Sequence, residues 1–238
     1  YEIASCLVGS EMCIRDRLYH ACQIAREIAM DDKWKVGRVI ARPYIGTKEG
    51  HFTRTSNRHD YALAPFSKTA LDSLKDAGLD VIGVGKIPDI FVDQGITRKI
   101  KTVSNEDGMN KTIELASDNF NGLAFINLVD FDAVYGHRRN AAGYGKAIEE
   151  FDVQLGELIN ELKEDDLLIV TADHGNDPTY RGTDHTREQV PLIIYSKQFN
   201  EMKVLNDGDS FGIIGSTICD NFNVKYNGIG SSILELLK

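Results

Sequence analysis

The sequence predicts an α/β fold, and three observations carry that expectation. Apolar runs of strand length recur at residues 81–84, 123–129, 167–170 and 192–195. Stretches with helical periodicity lie between or around them, among them 69–77, 110–117 and 144–162. Carboxylates and histidines then gather just beyond two of the runs. Strands that alternate with amphipathic helices assemble into a doubly wound sheet. Short uninterrupted apolar runs suit strands buried on both faces of a parallel sheet.

Taken in order, the first seventeen residues fit nothing that follows. They have no sustained period, no cationic start suited to a signal peptide, and the look of a translated sequencing adapter. Residues 1–17 are therefore expected to be foreign to the fold. From residue 18 to 30, Leu18, Cys22, Ile24, Ala25, Ile28 and Ala29 give an amphipathic helix. Residues 36–42 read as a short strand ended by Pro43, and residues 53–61 as a polar, basic surface loop.

Regular alternation starts near Phe66. Residues 69–77 form a helix and residues 81–84 a buried strand. Gly83, Val84, Gly85 and Lys86 lack the phosphate-loop spacing, and Ile87 stands where Ser or Thr is needed. The glycines are expected to serve a strand-to-loop turn. A short helix over 110–117 precedes the strand at 123–129. Tyr144, Ile148, Phe151, Leu155, Leu158 and Leu162 then mark a long helix with its apolar stripe on the sheet. A strand at 167–170, expected in the parallel sheet, a strand at 192–195, a helix over 211–222 and a helical end at 231–237 complete the chain.

Composition narrows the function classes. The chain has 238 residues, 42% hydrophobic and 26% charged, ordinary values for a globular protein. A net charge of -9 argues against nonspecific binding to nucleic acid or to an anionic membrane. No apolar run approaches the roughly 20 residues that span a bilayer. The four cysteines form no CxxC pair, so neither a disulfide framework nor a thiolate zinc site is indicated, and a reducing cytoplasm fits.

The chemistry concentrates after two strands. Asp173 and His174 follow the run at 167–170, on the edge where α/β sheets bind ligands. His185 stands eleven residues further on, across a loop containing Gly182. A bare Asp-His pair at a strand end is most often a hydrogen-bonded loop pair. The second cluster changes the balance: Asp130, Asp132 and His137 follow the run at 123–129, so three of the six histidines stand with carboxylates beyond strand ends. Imidazole and carboxylate together suit a divalent metal.

The segments VDFDAVYGHRR (129–139), TADHGND (171–177) and GTDHTRE (182–188), in this order and spacing, resemble the phosphopentomutases, two-metal members of the alkaline phosphatase superfamily. The DHGN piece alone is shared with cofactor-independent phosphoglycerate mutases; the other two pieces are more specific. The resemblance runs from Leu18 to the end of the chain. It implies an alkaline-phosphatase-like doubly wound core over residues 67–238, preceded at 18–66 by part of a smaller α/β cap domain. It further implies interconversion of ribose or deoxyribose 1-phosphate with the 5-phosphate, through a phosphoenzyme, two Mn2+ ions and a sugar bisphosphate activator. By resemblance Asp132, His137 and His185 complete one metal site and Asp173 and His174 supply part of the other. Arg42, Arg58, His59 and Lys86 match residues that hold the sugar phosphate, a task for which the planar guanidinium fork is suited. Asp130, Arg138 and Arg139 receive no chemistry.

The family's nucleophilic threonine, its motif and an N-terminal aspartate ligand have no counterpart in this sequence. The chain is thus expected to be a C-terminal part and inactive by itself. Two alternatives stand beside this reading: another phosphomutase or phosphatase of the superfamily, such as a phosphoglycerate mutase, and a noncatalytic module that binds metal or sugar phosphate.

Overall fold

The computed structural model describes residues 12–31, 33, 36–46, 51–55, 57–208 and 210–237. The chain divides into two compact units, Tyr1–Ser67 with Asp89–Gln94, and Lys68–Pro88 with Gly95–Lys238.

In the first unit, helix α1 (Met12–Ala29) packs on a two-stranded antiparallel ribbon of β1 (Arg38–Ala41) and β4 (His59–Ala62). A smaller antiparallel pair, β2 (Tyr44–Ile45) with β3 (Thr53–Arg54), extends from it in sequence. Leu18 and Cys22 from the helix meet Val39 and Ala41 from the ribbon in a small core, flanked by Tyr19, Ala25 and Tyr61. One element is longer than expected, and one expectation needs correction. The helix begins at Met12 and runs without a break into residue 18, so part of the segment set aside from the fold is helical. Once a helix exists, adding a turn costs little. Residues 53–61 are not one solvated loop, because their two ends pair as β3 and β4. Their polar composition hid this: Asp60 opposes Ile40 and Tyr61 opposes Val39 across the ribbon, and cross-strand contact, not propensity, fixes such short strands.

The second unit is built on a parallel sheet. Its order is β6 (Arg98–Ile100), β5 (Asp80–Val84), β7 (Gly122–Ile126), with Ile82 opposite both Arg98 and Ala124. Val81, Ile82 and Val84 of the central strand are buried, as a strand flanked on both edges requires. Helix α2 (Ala70–Asp76) enters through a capping box: the Thr69 hydroxyl accepts from the Asp72 N–H at 3.3 Å while the Asp72 carboxylate accepts from the Thr69 N–H at 2.8 Å. A four-residue helix, α3 (Ile87–Ile90), follows β5. Helix α4 (Asn105–Ser117) starts at Ser104, whose hydroxyl accepts from the Asp107 N–H, and is five residues longer than the sequence expectation of 110–117. Helix α5 (Ala141–Glu161) packs against it. Helix α6 (Gly212–Asn221) packs against α2. Only one 3-10 turn, Leu234–Leu236, stands where a helical end was expected.

The α/β class therefore holds, with a parallel sheet and helical crossovers. One strand assignment does not. The run at 167–170 was expected in the parallel sheet. It forms β8 (Leu168–Thr171), which pairs antiparallel with β9 (Leu192–Tyr195), Ile169 opposite Ile194. Both strands are only partly buried. An apolar run reports hydrophobicity and not the direction of its neighbour. The stripe on α5 is similarly incomplete: Leu158 is buried whereas Ile148 is exposed.

Candidate metal centre

The site begins where β7 ends. Asp130 and Asn105 clasp each other: the Asn105 N–H donates to the Asp130 carboxylate at 2.7 Å, and the Asp130 N–H donates to the Asn105 side-chain oxygen at 2.9 Å. This fixes the exit from the sheet against the start of α4. The chain then enters a π-helical turn, Phe131–Gly136, with the His137 N–H donating to the Asp132 carbonyl at 3.0 Å. Such widened turns recur at functional sites. Here the turn sets Asp132 and His137 side by side.

Asp132 is the centre of the cluster. Its Oδ1 lies 3.4 Å from His137 Nε2 and 3.3 Å from His185 Nε2. Asp132, His174 and His185 each offer a ligand atom within 4.8 Å of the others. The His174 and His185 rings stack at 3.7 Å, and the His137 ring also stacks on His185 at 4.9 Å. His137 Nδ1 lies 2.5 Å from the Thr183 carbonyl, which can only accept, so that nitrogen is the donor. In the neutral ring, Nε2 then carries a lone pair facing a carboxylate oxygen. Two facing lone pairs repel unless a cation stands between them. Donors about 2.1 Å from a shared ion, at tetrahedral to octahedral angles, stand about 3.0–3.4 Å apart. The residues fit a divalent metal.

Two side chains to which no chemistry was assigned above hold this arrangement. Asn176, buried, donates from Nδ2 to Asp132 Oδ1 at 2.7 Å. Its Oδ1 accepts from Arg139 Nη1 at 2.7 Å. Arg139 also donates to the carbonyls of Asp177, Gly182, Asp184 and Gly136. One guanidinium thus ties the π-helical turn to both ends of the loop that carries His174 and His185. A carbonyl-rich environment of this kind leaves no composition signal, which is why sequence reasoning passed over Arg139.

Close backbone approach completes the frame. A Cβ on Gly136 would lie 2.5 Å from Asn176 Nδ2, so only glycine admits that contact. Gly175 bridges to Thr186, and a Cβ there would lie 1.9 Å from the Glu188 carboxylate. Asp177 accepts from the Thr179 hydroxyl and N–H, both at 2.7 Å; these bonds hold its carboxyl below the usual value. Burial first, then the Asp132 and Glu188 carboxylates, push the Tyr144 hydroxyl above its usual value.

The remaining residues singled out in the sequence fall elsewhere. Asp173 is exposed, with its Oδ1 3.7 Å from His174 Nε2. Arg42 and His59 are exposed and lie in the first unit. Arg58, in the same unit, makes a two-pronged ion pair with Asp60, at 2.7 and 2.9 Å. Lys86 is exposed just after β5, in the second unit.

Comparison with known proteins agrees with this geometry. The metalloenzyme superfamily model matches residues 22–226. The chain is 59% identical over 224 residues to a phosphopentomutase of Clostridium botulinum (strain Alaska E43 / Type E3), covering 93% of this chain and 57% of that protein. It is 58% identical to one of Clostridium beijerinckii, with the same coverage, and 59% identical to one of Agathobacter rectalis over 92% of this chain and 56% of the relative. The chain therefore spans somewhat more than half the length of these relatives. With a family match across nearly its whole length and a carboxylate–imidazole cluster in metal-binding geometry, the chain belongs to the metalloenzyme superfamily.

Proposed function

We propose that this chain is the metal-holding part of a phosphopentomutase, an enzyme that interconverts ribose or deoxyribose 1-phosphate and 5-phosphate. The observation that carries the reading is the placement of His137 Nε2 and His185 Nε2 at 3.3–3.4 Å from one Asp132 oxygen, in a chain 58–59% identical over 224 residues to relatives of that name. Asp132, His137 and His185 are assigned to one metal and Asp173 and His174 to a second, with Mn2+ as the ion. His174 stacks directly on His185, which suits two neighbouring ions. Bound divalent cations supply charge to the nonbridging phosphate oxygens as phosphoryl transfer proceeds.

The chain's own residues orient. Asn176 turns the Asp132 carboxylate by its hydrogen bond, and the Thr183 carbonyl fixes the His137 ring and its tautomer. Arg42, Arg58, His59 and Lys86 are assigned to the sugar phosphate; Arg58 exchanges its Asp60 partner for phosphate oxygens of the same planar spacing. Residues 18–66 are read as part of a cap domain and 67–238 as part of the catalytic core. The donor of the phosphoryl group is a threonine of the longer enzyme, primed by a sugar bisphosphate, and the setting is cytoplasmic nucleoside catabolism. No helix among the described residues is long and apolar enough to cross a membrane.

The test is an assay of the longer enzyme with ribose 1-phosphate, deoxyribose 1-phosphate and 3-phosphoglycerate, in the presence of Mn2+ and a sugar bisphosphate. Turnover of the pentose phosphates is expected. Turnover of phosphoglycerate alone would overturn the substrate assignment while leaving the metal site intact.

A further inference from the structure

Helix α1 buries the wrong residue for its pattern. Its inward stripe runs Leu18, Cys22, Arg26, Ala29, at spacings of four, four and three. Arg26 is only 7% exposed, whereas Ile24 and Ile28, on the same helix, are 44% and 65% exposed. The Arg26 Nε, Nη1 and Nη2 atoms are all buried, and none has a hydrogen-bond partner among the described residues. Elsewhere on this inward stripe, Leu18 and Cys22 meet the apolar ribbon residues Val39 and Ala41.

A guanidinium keeps its charge, so it cannot escape burial by losing a proton. An isolated ion in an apolar interior is among the most costly arrangements a protein can hold, and natural structures compensate it. Sequence pattern and burial conflict at one position, and such conflicts concentrate at functional or strained sites. Three unsatisfied nitrogens on one planar fork match a group with two or more oxygens in a plane.

We propose that Arg26 is one half of a buried ion pair, and that its other half is an oxyanion, a carboxylate or a phosphate, seated on the fork from outside this 238-residue chain. This site is separate from the Arg42, Arg58 and His59 set assigned to sugar phosphate. Those residues are exposed and Arg58 is already paired with Asp60. The anion comes either as a free phosphate or attached to polypeptide as an Asp or Glu side chain; the chemistry is shared and the sources separate by experiment.

The experiment compares the 238-residue chain with Arg26→Met, which keeps the apolar stem and removes the charge, and Arg26→Lys, which keeps the charge and removes the fork. Thermal unfolding is followed with and without excess inorganic phosphate. If the anion is free, phosphate raises the Tm of the unsubstituted chain by about 2–4 °C, Arg26→Lys responds less, and Arg26→Met does not respond. If the anion is attached to polypeptide, phosphate has no effect and Arg26→Met melts above the unsubstituted chain, because an uncompensated charge has gone. A lower Tm or lost folding in Arg26→Met, with no phosphate response in the unsubstituted chain, overturns the proposal. Arg26 would then be contributing through its stem alone. Equal phosphate responses in all three proteins overturn it as well, since the anion would be acting elsewhere.

Discussion

Replacing Asn176 by Ala tests whether the metal centre is held from behind. The side chain is buried and touches no proposed ion; it donates to Asp132 at 2.7 Å and accepts from Arg139 at 2.7 Å. Without the amide, the Asp132 carboxylate loses the bond that sets its rotation, and the Asp132 Oδ1 position shared by His137 and His185 is no longer defined. Partners that orient metal ligands are worth about 10–100-fold in affinity, or about 1.4–2.7 kcal/mol. Arg139 retains its carbonyl acceptors, so its charge is not orphaned. The added stability loss is that of the buried hydrogen bonds, about 1–3 kcal/mol. Isothermal titration with Mn2+ reads the first quantity and urea unfolding without metal reads the second. An Mn2+ affinity equal to that of the unsubstituted chain, in a variant that still folds, would refute the positioning argument.

Other outcomes follow from the same geometry. The chain should bind one Mn2+ tightly, with Asp132→Ala losing more than about 100-fold in affinity, beyond the range for an orienting partner; the exposed Asp173 is a poor anchor for a second ion, and two equal tight sites in a calorimetric titration would contradict this. Gly136→Ala drives a methyl to 2.5 Å from the Asn176 amide and should destabilise by about 1–3 kcal/mol, as overpacking does, measured by urea midpoint. Asp107 is held below the usual carboxyl value by its Lys111 hydrogen bond first and the Val103 N–H second. A depressed carboxyl stabilises above its unfolded range and ceases to as pH falls through its folded range. The stability gap between the unsubstituted chain and Asp107→Asn should therefore be present near neutral pH and close on acidification, and a gap that widens in acid would show the sign to be wrong.

Much of the second unit was legible because its determinants are local. The Thr69–Asp72 capping box and the buried run of β5 are written in adjacent residues. The antiparallel pairing of β8 with β9 was not legible, since Leu168 and its partner Tyr195 stand far apart in sequence and an apolar run carries no direction. The strands at 53–54 and 59–62 were missed for a related reason. They are short and polar, and they owe their existence to partners at 44–45 and 38–41. Arg26 was illegible in another way. The hydrophobic pattern of α1 admits a stripe through Ile24 and Ile28, but the structure leaves those two exposed and turns a cation inward.

The cluster around Asp132 shows why residue types were readable when their geometry was not. Asp132 and His137 stand five apart, and in an ordinary α-helix of 3.6 residues per turn that spacing points side chains about 140° apart. A helical reading of the segment therefore separates them. The π-helical turn removes the conflict: an N–H bonding five residues back, as His137 does to Asp132, places the fifth residue over the first. The wide turn persists because its surroundings hold it, through the Asp130–Asn105 clasp at its start and Arg139 at its end. Those contacts join residues 25 positions apart at the start and up to 45 at the end. The clustered carboxylate and imidazole side chains were thus visible in short motifs, while the backbone form that converges them depends on pairings the motifs do not contain. A single guanidinium bonded to five groups on two loops makes the site's geometry a property of tertiary structure, and cation binding should stiffen both loops together.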